Sequence, residues 1–536
     1  METGKKYLQY GSARDIERTK DRIIYRIFEC IPGILLWTTF AAMVLGSLYA
    51  PLVAAIFIIL FDLYWLLRSV YFSWHLRETF KKMREYMRTD WVVKLDALDG
   101  AQNMLGISNW RKDIWHLVIL PYYKEDYEII KNTCEAMAAS PYPNERILVV
   151  LTGEARAGEE AQKIGERIAR EYEGKFGKFL FTTHVDQYGE LAGKGANETW
   201  AAKIAQREIV DAMNIPYEQV ILSVFDVDTV VSPQYFGRLT YCYLTAQKPL
   251  RSSYQPIPLF INNIWEAPAV ARVVSFSSTF WHMMNHMRPE RLTSFSSHAF
   301  PFKTMAEIGF WQTNVVSEDS RIFWEGFLAF DGDWRVVPLF IPVSMDANVA
   351  STFWQTMKNL YLQQRRWAYG CENIPYFLFG FLKNKKISFK KKCYWTFHII
   401  EGFWSWSTNS FLIFLLGWLP VVIGGAHFGT TVLAYNTPRL TRIILTLAML
   451  GIITSIYLSL VLLPPRPFGF GKRKYLYMIL QWIMIPITLV FLGSLPAIEA
   501  ETRLMFGRYL GFWPTPKIRK GIQKEVFAVE HADGKN

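Results

Sequence analysis

The chain has 536 residues, of which 51% are hydrophobic, 16% aromatic and only 20% charged, and its formal net charge is +12. The length excludes a single ordinary soluble domain, and the composition is typical of a protein partly embedded in lipid. A positive charge suits nucleic acid or an anionic membrane surface, but here Lys and Arg cluster beside the hydrophobic stretches. We therefore expect membrane lipids, and no nucleic acid, as partners.

The N-terminal part of the chain predicts a membrane hairpin. Residues 1–29 are polar and basic, without the early apolar core of a secretory signal. Residues 30–67 carry no charge except Asp62 and are about two membrane lengths long, with a turn near Pro51. Basic residues flank both outer ends, which places them on the cytoplasmic side. The amphipathic, basic stretch 69–96 predicts a helix lying on the membrane surface.

Strand and helix patterns then alternate. Apolar runs predict strands at 116–123, 146–151, 178–184 and 221–231, with helical patterns between them, and further strands at 249–259 and 334–342. Helical spacing recurs at 275–287 and 352–369. Such alternation is typical of an α/β fold with a doubly wound, mostly parallel sheet.

Three hydrophobic stretches follow a basic run at 383–392. Spans are predicted within 403–423 and 443–463, whereas the stretch 475–498 is interrupted by prolines and a glycine. Three crossings would place the basic tail outside, against the positive-inside tendency. The broken stretch could instead enter the membrane and return. We expect the tail to be cytoplasmic.

Two acids end the apolar run 221–231. Asp226 and Asp228 follow a strand that reads as buried in a parallel sheet, and ligands of such sheets bind beyond the carboxyl ends of the strands. Carboxylate oxygens are the ligands that Mg²⁺ or Mn²⁺ prefers. The alternative is a strand-end turn closed by Asx hydrogen bonds.

Five elements occur in a fixed order: an acidic turn after the second strand, then GKGAN, DVD, SED and QQRRW. This order, placed between membrane segments, resembles the membrane-bound family 2 glycosyltransferases, which include cellulose, hyaluronan and chitin synthases. The resemblance covers residues 115–370. It implies a GT-A-like catalytic domain that transfers sugar, with inversion, from a UDP- or GDP-sugar to a growing polysaccharide or a lipid-linked glycan.

The resemblance also implies roles for the acids. Asp226 and Asp228 match the family's metal-binding acids, with Mg²⁺ or Mn²⁺ as cofactor, and Asp226 also contacts the nucleotide sugar. Asp319, with Glu318 beside it, matches the general base that takes the proton from the acceptor hydroxyl. The alternative for this acidic pair is a helix N-terminus, which favours acids.

Four further residues match substrate-binding positions of the family. Gln363, Arg366 and Trp367 match the QxxRW signature, in which Arg can hold a diphosphate and Trp can stack on a sugar. A basic helix that only anchors the chain in lipid is the alternative. Lys194 matches a lysine near the nucleotide, and its alternative is a plain loop.

The chain departs from the family at two places. Glu154 stands where adjacent aspartates are usual, so it is assigned to the base or ribose and the nucleotide stays open. Residues 295–298 (FSSH) replace the acceptor motif of processive synthases, so acceptor and processivity do not carry over. A non-processive enzyme that glycosylates a lipid, and a non-catalytic membrane protein with a degenerate nucleotide-binding domain, remain alternatives.

These interpretations together predict a multi-pass plasma-membrane protein with a cytoplasmic catalytic domain. Its predicted segments are a cytoplasmic N-terminal segment (1–29), a transmembrane hairpin (30–67), an amphipathic interfacial linker (68–112), the GT-A-like domain (113–350), an interfacial helix with the QxxRW motif and a basic loop (351–392), a C-terminal transmembrane region of two or three spans (393–498) and a basic tail (499–536).

Overall fold

The computed structural model of the chain describes residues 5–98, 100–515, 519 and 527. Residues 1–4 of the predicted N-terminal segment therefore lie outside the described residues. The same holds for the predicted basic tail beyond residue 515, apart from positions 519 and 527.

An eight-stranded sheet forms the centre of the α/β domain, in the spatial order β3-β2-β1-β4-β7-β6-β8-β5. The strands are β1 (Trp115–Pro121), β2 (Ile147–Glu154), β3 (Lys178–His184), β4 (Val220–Val224), β5 (Val230–Val231), β6 (Ser252–Phe260), β7 (Ala299–Pro301) and β8 (Arg335–Met345). The strands β3, β2, β1 and β4 are mutually parallel, and β6 is parallel to β8. The short strands β5 and β7 pair antiparallel with their neighbours, so the sheet is mixed. The predicted α/β fold is confirmed.

Both faces of β1, β2 and β4 are buried, which explains their nearly continuous apolar sequences, whereas β3 lies at the edge of the sheet and is partly exposed. In β1, Leu117 and Ile119 belong to one hydrophobic core, whereas Val118 and Leu120 belong to the core on the opposite face. Successive residues of a strand point to opposite faces, so each strand contributes to both cores. The helices that cover these faces begin just beyond the carboxyl ends of the strands, where the acidic motifs lie.

The predicted helical ranges 275–287 and 352–369 correspond to the helices Ala269–His286 and Phe353–Ala368. The described helices in this part of the chain are Trp91–Asp96, Trp110–Asp113, Tyr127–Ala138, Glu159–Tyr172, Lys194–Ala205, Tyr235–Thr245, Ala269–His286, Phe302–Ile308, Glu318–Ala329, Phe353–Ala368 and Asn373–Lys383.

Four helices are long and apolar enough to cross a membrane, and a bent pair of helices would make a fifth span. The four are Thr19–Tyr49, Pro51–Arg88, Val432–Val461 and Arg473–Met505, and the bent pair is Phe389–Phe414 with Leu416–Ile423. The first two form a hairpin, as predicted. The amphipathic stretch predicted as a separate surface helix is instead the continuation of the second helix, which runs for 38 residues without a break.

The last apolar segment, Arg473–Met505, is irregular. It contains a π-helical turn at Leu489–Ser494 and a 3₁₀ turn at Gln481–Met484. Its beginning contacts the α/β domain, because the ring of Tyr475 lies 5.4 Å from that of Trp265. Its end also lies on that side: Arg26, near the start of the first membrane helix, donates to the carbonyl oxygen of Leu504 at 2.9 Å.

Candidate active site

The predicted acids gather at one edge of the sheet. Strand β4 ends at Val224, and Asp226 and Asp228 follow it directly. Because β1, β2, β3 and β4 are parallel, their carboxyl ends meet at this edge, where ligands of open α/β sheets bind.

Lys194 is the centre of this edge. Its Nζ atom lies 2.9 Å from Asp226 Oδ1 and 2.9 Å from Asp319 Oδ1. Two buried carboxylates are farther away, with Glu198 Oε1 at 3.4 Å and Glu318 Oε1 at 4.0 Å. One ammonium group therefore joins four acids drawn from three separate parts of the chain.

Burial and neighbouring charges shift the pKa values of these groups. It raises the pKa of Glu318 to about 8, and the charge of Asp319 adds to this shift. Burial likewise raises the pKa of Glu198 well above its usual range. For Lys194, burial alone would lower the pKa, but the surrounding carboxylates, Asp226 and Asp319 foremost, raise it well above its ordinary value. Burial therefore favours the protonated form of both glutamates, and the surrounding carboxylates favour the charged form of Lys194.

The remaining two acids face outward. The side chains of Asp226 and Asp319 are 25% and 24% exposed, whereas those of Glu198 and Glu318 are 0% and 1% exposed. The negative charge of the cluster thus lies at its mouth, within reach of a ligand. Ser296 Oγ donates to Asp226 Oδ2 at 2.9 Å and fixes the orientation of that carboxylate.

The position of Asp319 is set by a buried glutamate from another segment. Glu372 Oε1 accepts hydrogen bonds from the backbone nitrogens of Val316 and Ser317, at 3.0 and 2.8 Å, and from Ser317 Oγ at 2.7 Å. These bonds hold the turn before the helix Glu318–Ala329. Asp319 therefore lies in the first helical turn, where the helix dipole favours a carboxylate, so the helix-terminus interpretation is correct and compatible with a role in catalysis.

Asp228 belongs to a second, deeper group. It is 1% exposed, and its Oδ2 accepts the backbone N–H of Asp346 at 2.9 Å. Asn262 Nδ2 donates both to the carbonyl oxygen of Asp228 at 2.8 Å and to Asp346 Oδ1 at 3.0 Å. Arg519 forms an ion pair with Asp346 at 2.5 Å.

The donors of this region have the chemistry that a hard divalent ion requires. Asp226, Asp228 and Asp346 supply carboxylate oxygens, which suit Mg²⁺ or Mn²⁺. Within the described residues, no three or more His, Cys, Asp or Glu side chains are already gathered as a metal site. These three residues therefore have the side-chain chemistry that a divalent metal ion prefers. In the structure, Lys194 contacts Asp226 and Arg519 contacts Asp346.

The QxxRW residues lie on the helix Phe353–Ala368. Arg366 stacks on the ring of Phe512 at 4.9 Å from its centroid and lies close enough to Glu318 to affect its charge. The ring of Trp367 lies 5.9 Å from that of Phe260, and Gln363 Oε1 accepts from Asn348 Nδ2 at 3.4 Å.

The neighbouring Arg365 has a different partner. Its Nη1 donates to Glu499 Oε1 at 2.6 Å, and Tyr361 and Arg503 donate to the same carboxylate at 2.7 Å each. The two adjacent arginines thus face different parts of the protein: Arg366 faces the acidic edge of the sheet, and Arg365 faces the segment Arg473–Met505.

Glu154 stands apart from the Lys194 cluster. It ends β2 and accepts a hydrogen bond from Arg156 Nε at 2.6 Å. The guanidinium of Arg156 lies 4.9 Å above the ring of Tyr123. Glu154 therefore lies on the β2 side of the same sheet edge.

The sequence interpretation missed Glu198 and Asp346 as members of the site. Glu198 lies four residues after Lys194 on one helix, and this spacing brings oppositely charged side chains together. Asp346 directly follows β8, so the strand-end argument used for Asp226 also applied to it. Ser296 was noted only as a small polar residue, because its contact with Asp226 spans 70 positions of sequence.

No protein-family model and no curated protein matches the chain. Several solved structures are similar to it. Mannosyltransferase PcManGT from Pyrobaculum calidifontis, in complex with GDP-Man and Mn²⁺, is 12% identical, with 84% of this chain and 100% of that chain covered and a TM-score of 0.42. S. aureus TarS 1-349 in complex with UDP-GlcNAc is 12% identical, with 61% and 92% covered and a TM-score of 0.30. GalNAc-T7 with UDP, GalNAc and Mn²⁺ is 12% identical, with 54% and 58% covered and a TM-score of 0.33.

Proposed function

We propose that the protein is a membrane-bound, inverting glycosyltransferase of the GT-A type that uses a nucleotide-diphosphate sugar. The observation that carries this proposal is the convergence of Asp226 and Asp319 on Lys194, each at 2.9 Å, at the carboxyl edge of the sheet. Binding of the sugar donor requires an acid at the end of the strand, which is Asp226. Removal of the acceptor proton requires a second carboxylate held by another segment, which is Asp319.

In the proposed reaction, Asp319 is the general base. It takes the proton of an acceptor hydroxyl while the acceptor oxygen bonds to the anomeric carbon and the bond from that carbon to the diphosphate breaks. Glu372 supports this role, because its hydrogen bonds fix the turn that presents Asp319. Lys194 Nζ donates to both carboxylate oxygens of Asp319, at 2.9 and 3.1 Å, and so holds this carboxylate in position at the mouth of the cluster.

Asp226 and Asp228, with Asp346 beside them, would hold a divalent ion. When bound, such an ion neutralises charge on the diphosphate leaving group. Arg366 is assigned to the diphosphate, Trp367 and Gln363 to the acceptor side, and Glu154 to the base or ribose. The acceptor is a growing polysaccharide or a lipid-linked glycan, and the length of the labelled product distinguishes a processive enzyme from one that adds a single sugar.

We also propose that the segment Arg473–Met505 does not cross the membrane. Tyr475 packs against Trp265 of the α/β domain, and Glu499 binds Arg365 of the QxxRW helix. Both ends of the segment therefore lie on the α/β side, which supports a cytoplasmic tail and four crossings. The catalytic domain lies on the same side, as the flanking basic residues favour.

Labelling of single cysteines in intact cells tests this topology, after the exposed Cys393 is changed to Ser. Ala532→Cys should react with an impermeant reagent only after permeabilisation. Thr430→Cys, between the bent helix pair and the helix Val432–Val461, should react in intact cells. Labelling of both positions from outside would show that the last segment crosses.

The acids are tested in purified protein in lipid, with radiolabelled UDP- and GDP-sugars and Mn²⁺ or Mg²⁺. Asp319→Asn should reduce transfer by about 10²–10⁴-fold and leave nucleoside-diphosphate binding nearly unchanged, because a positioned base acts only at the barrier. Asp228→Asn should weaken metal-dependent nucleotide binding as well as turnover.

Asp333→Asn is the matched control, because this aspartate is exposed and pairs only with Lys248, at 2.8 Å, among the described residues. It should change neither binding nor turnover. Equal loss of binding in the Asp319 and Asp228 variants would contradict the separate roles. Absence of transfer and hydrolysis with every nucleotide sugar would favour a non-catalytic nucleotide-binding protein.

A further inference from the structure

Arg272 is a buried cation far from the acidic cluster in sequence. It lies in the first turn of the helix Ala269–His286 and is 3% exposed. Burial lowers the pKa of its guanidinium to about 10, so it stays charged at neutral pH. None of the carboxylates in the described part of the chain forms an ion pair with it.

The hydrogen-bond partners of Arg272 are neutral. Its Nε donates to Gln481 Oε1 at 2.6 Å, and its Nη1 donates to the carbonyl oxygen of Ala267. Gln481 is itself 3% exposed, and its Nε2 has no hydrogen-bond partner among the described residues. The site thus presents one buried charge without a counter-charge and one buried N–H donor without an acceptor, and both features are costly unless an anion completes them.

A second cation lies beside this pair. Lys474 is close enough to Arg272 for the two charges to repel, and its Nζ lies 5.7 Å above the ring of Phe470. The connecting loop also carries Arg466, Lys472 and Arg473. The sequence contains no Asp or Glu between Glu401 and Glu499, so no acid of this part of the chain neutralises the loop.

Aromatic contacts hold the loop in place. The indole N–H of Trp265 donates to the carbonyl oxygen of Pro464 at 3.1 Å, and its ring lies 6.0 Å from Phe470 and 5.4 Å from Tyr475. A cavity of about 520 Å³ lies along residues 466–471. This loop joins the helix Val432–Val461 to the segment Arg473–Met505, so the cavity lies at the end of a helix that is long and apolar enough to cross a membrane.

We propose that Arg272, Lys474 and Gln481 form a binding site for a phosphate group. A phosphate ester supplies several strong acceptors to the guanidinium, the ammonium and the free amide N–H, and charge-assisted bonds of this kind are the strong ones. Its source is either the headgroup of an anionic phospholipid or a soluble phosphate. The site is separate from the proposed catalytic acids and does not depend on the proposed function.

The test measures apparent melting temperature of the purified full-length protein in a neutral detergent at constant ionic strength. Three probes are titrated: dioleoyl phosphatidylglycerol, dioleoyl phosphatidylcholine and inorganic phosphate. A ligand that binds only the folded state raises the melting temperature in proportion to its concentration over Kd. Stabilisation by phosphatidylglycerol alone identifies a lipid headgroup, and equal stabilisation by inorganic phosphate identifies a soluble ligand.

Variants link the effect to the site. Lys474→Gln should weaken the binding of the stabilising probe by about tenfold or more, the size expected for one charge-assisted contact. Arg272→Gln should weaken it further. Lys472→Gln removes the same charge from the same loop at an exposed position, and should change the affinity by less than about twofold.

Arg272→Gln removes buried hydrogen bonds and could prevent folding. If the Arg272→Gln protein does not fold, the comparison of Lys474→Gln with Lys472→Gln is sufficient to test the site. Two results would overturn the site. One is the absence of stabilisation by any phosphate-bearing probe. The other is an equal loss of affinity in Lys472→Gln and Lys474→Gln, which would indicate general attraction to a basic loop.

Discussion

Lys194 and Arg272 are both buried cations, but their surroundings are opposite. Lys194 has four carboxylates within 4.0 Å, whereas the hydrogen-bond partners of Arg272 among the described residues are a neutral amide and a backbone carbonyl. In the first region the chain supplies an excess of negative charge, and in the second the described residues place no counter-charge beside the cation. The first arrangement suits a cationic ligand such as a metal, and the second suits an anion.

The two regions also differ in which of their charged groups are exposed. At the Lys194 cluster, two acids are buried and two lie at the mouth. At Arg272 the charge itself is buried, and the accompanying cations lie on a loop at the end of a membrane helix. A buried charge thus does not by itself indicate function, and its partners decide which ligand it can serve.

Removal of the Lys194 charge should have the largest effect on stability. In Lys194→Met the acids lose the ammonium group that lies within 4.0 Å of all four, and we expect a loss of about 3 kcal/mol at pH 8, the lower end for a broken buried pair. The loss should shrink at pH 5, because Glu318, whose pKa burial raises to about 8, is protonated there. Thermal unfolding in lipid at the two pH values provides the measurement.

The control for this variant is Lys163→Met. Lys163 is 77% exposed and pairs with Glu159 at 3.9 Å, so its removal should cost less than about 0.5 kcal/mol. Equal losses in the two variants would remove the distinction between the cluster and an ordinary surface pair.

The protonation of Glu318 should have an effect of intermediate size on the stability of the folded protein. Its folded-state pKa of about 8 lies above the ordinary value of 4.5, so the protonated form stabilises the fold. This contribution is complete below pH 4.5 and is lost as the pH rises to about 8, because only the unfolded chain releases the proton over that range. Glu318→Gln cannot lose a proton and should therefore be more stable than the wild type at pH 9 by about 2 kcal/mol.

Melting temperatures from pH 5 to pH 9 test this expectation. The two proteins should converge at the acidic end and separate at the alkaline end. Parallel curves over the whole range would mean that Glu318 is already ionised in the folded protein.

The smallest effect on stability is expected at the contact between the QxxRW helix and the segment Arg473–Met505. Glu499 accepts hydrogen bonds from Arg365 and Tyr361 of the QxxRW helix, at 2.6 and 2.7 Å, and it is 27% exposed. Glu499→Gln should destabilise the protein by about 1 kcal/mol. A double-mutant cycle with Arg365→Gln measures the coupling, which should exceed about 0.5 kcal/mol if the pair holds the last segment against the helix. Additive effects would show that the contact contributes nothing to this docking.

The sequence alone determined the α/β class, the two long apolar helices near the N-terminus and the acids that follow β4. These features depend on local patterns: apolar runs, the alternation of strands and helices, and acids placed directly after a strand. The ordered motifs also identified Lys194, Asp319 and Arg366 as site residues, and the structure brings Lys194 and Asp319 together across 125 positions of sequence. The roles of these residues in catalysis remain predictions.

Only the tertiary structure decided which groups surround each charge. Ser296 and Asp346 join the site through contacts between segments far apart in the chain, and although Glu198 and Asp346 carry local signals in the sequence, packing decides which charges they meet. Arg272 reads in sequence as an ordinary basic residue near a membrane, and its isolation from carboxylates is a property of packing. The energy of a charge depends on burial and on neighbours in space, and for these residues the neighbours are supplied by segments far away in the chain.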